Sequence, residues 1–138
     1  MVLLNPYLHV DDKAEEILNF YKGIFGGELT INRYGDFPGP MPVAEEHKDK
    51  VMHGQLTSDH LTLMVSDNGP MGPRQHGNDV SLSLSGDDET TLTDYYTQLS
   101  EGGTVMQPLE KAQWGDSFGM FTDKYGFTWF VNITGAQA

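Results

Sequence analysis

One phrase occurs twice in this chain of 138 residues, and the repetition constrains the fold more than any other feature. Asp11-Asp12 precedes the run "KAEEILNFYKGIFGG", and Asp87-Asp88 precedes "ETTLTDYYTQLSEGG". Asp12 and Asp88 lie 76 residues apart, as do Gly26 and Gly102, while the aromatic pairs Phe20-Tyr21 and Tyr95-Tyr96 lie 75 apart. An acidic cap, an aromatic stripe and a glycine stop returning at nearly one offset mark an internal duplication. With one copy and one repeat, a solenoid is not implied.

Within the first run Ile17, Phe20, Tyr21 and Ile24 recur at helical spacing, and Leu92, Tyr95, Tyr96 and Leu99 do so in the second. Asp12 is expected to cap the first helix with Glu15 as its capping-box partner. The pairs Gly26-Gly27 and Gly102-Gly103 are expected to stop the helices, because glycine takes the left-handed conformation a helix end often needs. Strand-like text leads into each helix and follows it: "ELTINRYG", "VMHGQLTSD" and "HLTLMVSD" in the first half, "TVMQPL", "FGMFTD" and "FTWFVNIT" in the second. Turns rich in Gly, Asp and Asn separate these runs, among them "DKYG" at 123–126. Each half therefore reads β-α-β-β-β. The expectation is an α+β fold in one domain, 1–138, built from a first module at 1–67, a linker at 68–78 and a second module at 79–138. A Pro- and Gly-rich loop is expected over 36–50.

Period-2 alternation assigns faces. In "VSLSLS", Val80, Leu82 and Leu84 should pack on the helices, which leaves Ser81, Ser83 and Ser85 on the other side. Their partners at offset 76 are Asn5, Tyr7 and His9, so His9 is expected on the face away from the helix. His53 and Gln55 alternate with Met52, Gly54 and Leu56 and share a face. If it is the same face, they join His9.

Composition narrows the partners. There are no cysteines, so disulfides and thiolate metal sites are excluded. The formal charge of −12 would repel a polyphosphate backbone, so no nucleic-acid partner is expected. No apolar run approaches the roughly 18 residues needed to span a bilayer. The opening "MVLLNPYLHV" lacks the basic start and apolar length of a signal peptide. The expectation is a cytoplasmic protein with no membrane partner.

Paired β-α-β-β-β modules with "FYKGIFGGEL" after the first helix resemble the vicinal oxygen chelate superfamily, which includes glyoxalases, bleomycin-resistance proteins and extradiol dioxygenases. Pro6-Tyr7-Leu8 in the opening strand, Leu63-Met64-Val65-Ser66-Asp67 at the end of the first module and the "WGxxFGxxxDxxGxxWxxN" close, Trp114 through Asn132, are similar to its PhnB-like branch. The resemblance covers nearly the whole chain. It implies that each module curls into a half-barrel and that the two enclose a cavity. It also implies metal-ligand positions at Asn5, Leu63 or Met64, Ser81 and Phe130. None of these is a His or a Glu, and divalent metals of such sites need imidazole or carboxylate ligands; no metal and no cofactor is therefore expected. The methyltransferase label often attached to the branch has no counterpart here, since no Gly-rich cofactor turn follows a parallel strand.

The candidate ligand-binding residues are Tyr7, His9, His53, Gln55, Ser83, Trp114 and Asn132. Each also has a plain reading. His9 serves equally as a strand-end residue partly in water, and Tyr7 as packing. Asn132, mid-strand, must be paired if it is buried. Trp114, after "LEKAQ" read as a loop, suits a pocket rim, whereas Trp129 is expected in the core. His60 is expected at an exposed turn, and His47 and His76 in loops. Asp67 and Asp123 are expected to cap local turns. Arg33 and Arg74, the two arginines, could each meet an anion bidentately, although a surface arginine usually does not.

No nucleophile–base motif, P-loop or H-E-x-x-H is present, so catalysis is left open. The expected function is binding of a small molecule in the cavity without the superfamily's usual metal. The alternative is a metal-dependent lyase, isomerase or dioxygenase of the glyoxalase type with a displaced site on His9 and His53. A third reading is an interaction subunit with a filled cavity. A homodimer is expected, because half-barrels leave open sheet edges and apolar surface.

Overall fold

Each copy of the repeated phrase folds into a four-stranded sheet backed by one helix. The computed structural model describes residues 1–36, 43–69 and 72–135. The loop expected at 36–50 and the linker expected at 68–78 fall partly outside the described residues. The chain divides into two units, Met1–His76 and Gly77–Ala138.

The first unit runs β1 (Tyr7–Val10), α1 (Ala14–Phe25), β2 (Glu28–Arg33), β3 (Val51–Thr57) and β4 (Thr62–Asp67), with short 3-10 turns at Tyr34–Asp36 and Glu45–His47. Its sheet order is β1-β4-β3-β2, with β1 parallel to β4 and the other pairs antiparallel. The second unit repeats this with β5 (Leu82–Gly86), α2 (Glu89–Ser100), β6 (Thr104–Lys111), β7 (Ser117–Thr122) and β8 (Thr128–Ile133), in the order β5-β8-β7-β6. Tyr7 sits opposite Met64 and Ser83 opposite Phe130, so the 76-residue offset carries over into the strand register. The fold is α+β, as the repeat implied.

Alternation explains both cores. On the helix face of the first sheet, Leu56, Leu63 and Val65 are buried against Ala14, Ile17, Leu18, Tyr21 and Phe25 of α1. On that of the second, Phe121, Trp129, Val131 and Ile133 meet Leu92 and Leu99 of α2. Trp129 is a core residue, and its indole N–H donates to Asp123 at 2.9 Å. Gly26 (φ 72°) and Gly102 (φ 80°) take positive φ at the two helix stops.

The expected Asp12 cap is corrected. Asp88 does cap α2, accepting from the Thr91 N–H at 3.0 Å. Asp12 instead has φ 65°, outside the helix, and its carboxylate pairs with Lys50 at 2.7 Å. Glu15 pairs with Arg33 at 3.1 Å rather than closing a capping box. The amide at the start of α1, Ala14 N–H, is taken by Asp67 from the end of β4, at 2.9 Å. The same carboxylate accepts from Val51 N–H at 2.8 Å, so Asp67 is a buried long-range brace and not a local turn cap. Two smaller expectations also change. Val80 lies outside β5 and is exposed. Glu110 and Lys111, read as loop, belong to β6, where Pro108 sits at a register shift between Gln107 and Glu110. A proline is tolerated in a strand at such an irregularity because no ladder hydrogen bond is demanded of it.

Candidate functional site

On the first sheet, Leu8 and Val10 turn toward α1, which leaves Tyr7 and His9 on the opposite face. The register sets Tyr7 beside Met64 and Met64 beside Gln55, so one row across the sheet gathers residues far apart in sequence. His53 lies one step along β3 from that row. Its Nδ1 is 3.0 Å from the Tyr7 hydroxyl, with the rings edge to face at 5.4 Å. His9 stacks on the other side of Tyr7, its ring centroid 4.4 Å away and the planes 21° apart. His53 Nε2 reaches Gln55 Oε1 at 3.5 Å, and Gln55 Nε2 donates to Thr57 Oγ1 at 3.2 Å.

One tautomer satisfies the whole chain of contacts. With Gln55 Oε1 facing the ring, the tautomer protonated on Nε2 donates to it and accepts from Tyr7 at Nδ1. The Tyr7 oxygen keeps its lone pairs, and the exposed edge of the His9 ring remains available. Burial, and after it the charge of Arg74, holds the His9 imidazole below its ordinary value of 6.5. Arg74 is fixed nearby by its backbone N–H, which donates to the Asp11 carboxylate at 3.2 and 3.3 Å. Ser66, on the same face, is unavailable: it is buried, and its hydroxyl donates to Met52 O at 2.8 Å.

The second sheet carries the other three candidates. Ser83 and Asn132 share its non-helix face with Phe130, Met120 and Phe118 through the pairings Ser83–Phe130, Phe130–Met120 and Asn132–Phe118. Ser83 is exposed. Asn132 is paired, as a mid-strand amide should be, donating to Asp116 Oδ2 at 3.1 Å. Trp114 is 67% exposed in the β6–β7 turn, 6.3 Å from Phe118, which itself lies 4.8 Å from Phe130. Asp116, which sequence reasoning missed, ties this group together. Its carboxyl is held below the ordinary value of 3.8 first by the Gly135 N–H, then by the Asn132 amide, with Trp114 also contributing. A pocket of about 580 Å³ in this unit is lined by Asp87, Glu89, Lys111, Ser117, Thr134 and neighbouring glycines. None of the seven candidate residues lines it.

The structure therefore brings Tyr7, His9, His53 and Gln55 together on one sheet, and places Ser83, Trp114 and Asn132 on or beside the corresponding face of the other. His60 is exposed at its turn; His47 lies in the Glu45–His47 turn and His76 is exposed. The metal-ligand positions implied by the resemblance do not fit a metal. Leu63 is buried toward α1, so Met64, the counterpart of Phe130 by register, is the residue at the uncertain position. An amide, a thioether, a hydroxyl and a phenyl ring are not a divalent-metal set. Among the described residues there is no group of three or more His, Cys, Asp or Glu side chains able to hold a metal ion.

Comparison with known proteins agrees with this fold. Residues 3–131 match the family described as Glyoxalase/Bleomycin resistance protein/Dioxygenase superfamily. The Mycobacterium bovis protein Mb0911c is 32% identical over 91% of this chain and 79% of its own length. The crystal structure of PA1353 from Pseudomonas aeruginosa is 36% identical, covers 97% of this chain and 98% of that one, and superposes with a TM-score of 0.84. The PhnB protein of Bacillus cereus, named for a 3-demethylubiquinone-9 3-methyltransferase activity, is 25% identical, covers 96% of this chain and all of its own, and has a TM-score of 0.74.

Proposed function

The chain belongs to the glyoxalase/bleomycin resistance protein/dioxygenase superfamily, and from that premise we propose that it binds a small, partly apolar molecule on the non-helix face of its first sheet, without the superfamily's usual metal. The observation that carries this reading is the Tyr7–His53–Gln55–Thr57 hydrogen-bond chain with His9 stacked on it. Side chains that only cover a sheet have no need of such a linked series of contacts, whereas a ligand site needs polar groups fixed in advance. The same reading takes the protein as a cytoplasmic homodimer with neither nucleic acid nor membrane as partner. No helix among the described residues is long and apolar enough to cross a membrane.

A second reading, a metal-dependent enzyme of the glyoxalase type, would build a displaced site on His9 and His53, which flank Tyr7. Two imidazoles and a phenol fall short of the three or four strong ligands such sites use. The methyltransferase name of the Bacillus cereus protein is not carried over, because β1 enters α1 through Asp11-Asp12-Lys13 and not through a Gly-rich cofactor turn.

The deciding measurement is metal content after chelator-free purification, followed by divalent-ion titration and a thermal-shift screen of small organic molecules. The binding reading expects substoichiometric metal, no shift with ions and stabilisation by some organic compounds. Stoichiometric metal, or a rise of several degrees at micromolar ion, would favour the displaced enzyme site. A screen with no stabilising compound would overturn ligand binding itself.

A further inference from the structure

We propose that the non-helix face of the first sheet contains a subsite for a small oxyanion, a carboxylate or phosphate group, built from the Arg74 guanidinium with His9 and Tyr7 beside it. The inference rests on the small-molecule reading and narrows it to ligands carrying such a group.

Arg74 is the anomaly that leads here. Lys13 and Lys22 of the same unit are exposed to water, where an ion pair is not needed; Arg74 differs because part of its guanidinium is buried. In the same unit Arg33 pairs with Glu15 at 3.1 Å, Lys48 with Glu45 at 2.7 Å and Lys50 with Asp12 at 2.7 Å. The Arg74 guanidinium has no such ion pair among the described residues, and its Nε is buried with no hydrogen-bond partner. A buried donor without an acceptor is uncommon and asks for an explanation. The Asp11 carboxylate is engaged by the backbone N–H of Arg74 and so anchors the residue through its main chain.

Position supplies the second part of the argument. Asp11 follows β1 directly, so the anchor holds Arg74 at the end of the strand that presents Tyr7 and His9. Its charge is close enough to oppose protonation of His9. A guanidinium offers a planar fork of donors suited to carboxylate or phosphate. A neutral imidazole offers one further donor, and the Tyr7–His53 hydrogen bond keeps the phenol in place next to it. A ligand with an acidic end and an apolar body would thus meet a cation and an aromatic stack on one surface.

The test uses the full chain with inorganic phosphate and benzoate as probes, titrated by NMR while the ring protons of His9 and His53 are followed at fixed pH. The expected result is saturable shifts of the His9 signals and a dissociation constant raised at least tenfold by Arg74→Gln. Arg74→Lys, which keeps the charge but not the fork, should retain part of the affinity. Arg33→Gln, on a paired arginine elsewhere in the unit, should change nothing. Saturation unaltered in Arg74→Gln, or shifts equal in the two glutamine variants, would overturn the subsite. So would a failure of both anions while neutral compounds still stabilise the protein; that outcome leaves the broader binding reading standing. If no compound of any charge binds, both fail together.

Discussion

At the scale of single residues, the aspartates separate by where their carboxylates go. Asp67 is buried and accepts from Ala14 and Val51, two amides in the first core that water does not reach. Removing a partner from a buried donor costs about 1–3 kcal/mol, so Asp67→Ala should destabilise by roughly 3 kcal/mol or more. Asp88 caps α2 at the surface, where loss of a cap costs about 1 kcal/mol. Chemical denaturation should therefore rank Asp67→Ala well below Asp88→Ala in stability, and equal midpoints would contradict the brace. Asp116 makes a prediction in pH. The Gly135 N–H and the Asn132 amide favour its ionised form, so the folded-state value lies below the unfolded one. Its contribution is in place above the ordinary value of 3.8 and is lost as pH falls through the lowered value. Asn132→Leu removes one of its donors and should flatten the acid limb of the stability curve, while leaving stability at pH 7 to 8 free of any new slope. Tyr7, His9, His53 and Gln55 were legible at this scale because strand alternation fixes a face without tertiary information. The role of Asp67 was not legible. Its partners lie 53 and 16 residues away, and a carboxylate closing a strand looks the same in sequence whether it serves its own turn or a distant helix.

At the scale of elements, the repeated helix needs a repeated gap beneath it. Gly54 of β3 pairs with Val65 and Gly119 of β7 pairs with Val131, so the two glycines hold corresponding places on the helix faces. A Cβ on Gly54 would collide with Leu18 of α1, and one on Gly119 would come within 2.8 Å of the Tyr96 ring of α2. Leu18 is wholly enclosed and would be met more closely, whereas Tyr96 is half-buried, with the Leu109 Cα next at 3.1 Å. Overpacking a filled core costs about 1–3 kcal/mol. Gly54→Ala is thus expected at the upper end of that range and Gly119→Ala at the lower, with the difference read from paired denaturation midpoints. A larger loss for Gly119→Ala would mean that α2, not α1, is the more tightly seated helix. The element order was readable in sequence because helix period, strand period and glycine stops agree in both copies. The start of α1 was misread for a physical reason: two carboxylates compete for one helix N-terminus, and the nearer one, Asp12, is drawn away to Lys50. The last two residues of β6, Glu110 and Lys111, were read as loop because charged side chains of this kind are depleted in strands.

At the scale of the whole molecule, association is governed by two opposed terms. Strands β1 and β2 end one sheet, and β5 and β6 end the other. Val105 and Met106, on the edge strand β6, are 45% and 47% exposed, and Met1, Val2 and Leu4 are almost fully exposed. Open edges with apolar side chains favour pairing with a second copy. Against this stands the charge, −12 on each chain, with 20 acidic residues facing 8 basic ones. Repulsion between two such chains acts over the screening length, about 30 Å at 0.01 M salt and about 8 Å at 0.15 M. The apolar term is little affected over that range. The predicted homodimer should therefore tighten as salt is raised, the reverse of an association held by ion pairs. Multi-angle light scattering at micromolar concentration should give a mass near twice the 15.3 kDa chain at 0.15 M salt, with the monomer share growing at 0.01 M. A 15.3 kDa particle at both ionic strengths would exclude the dimer. A dimer that weakens as salt is added would instead place charged contacts, and not the apolar edge, at its interface.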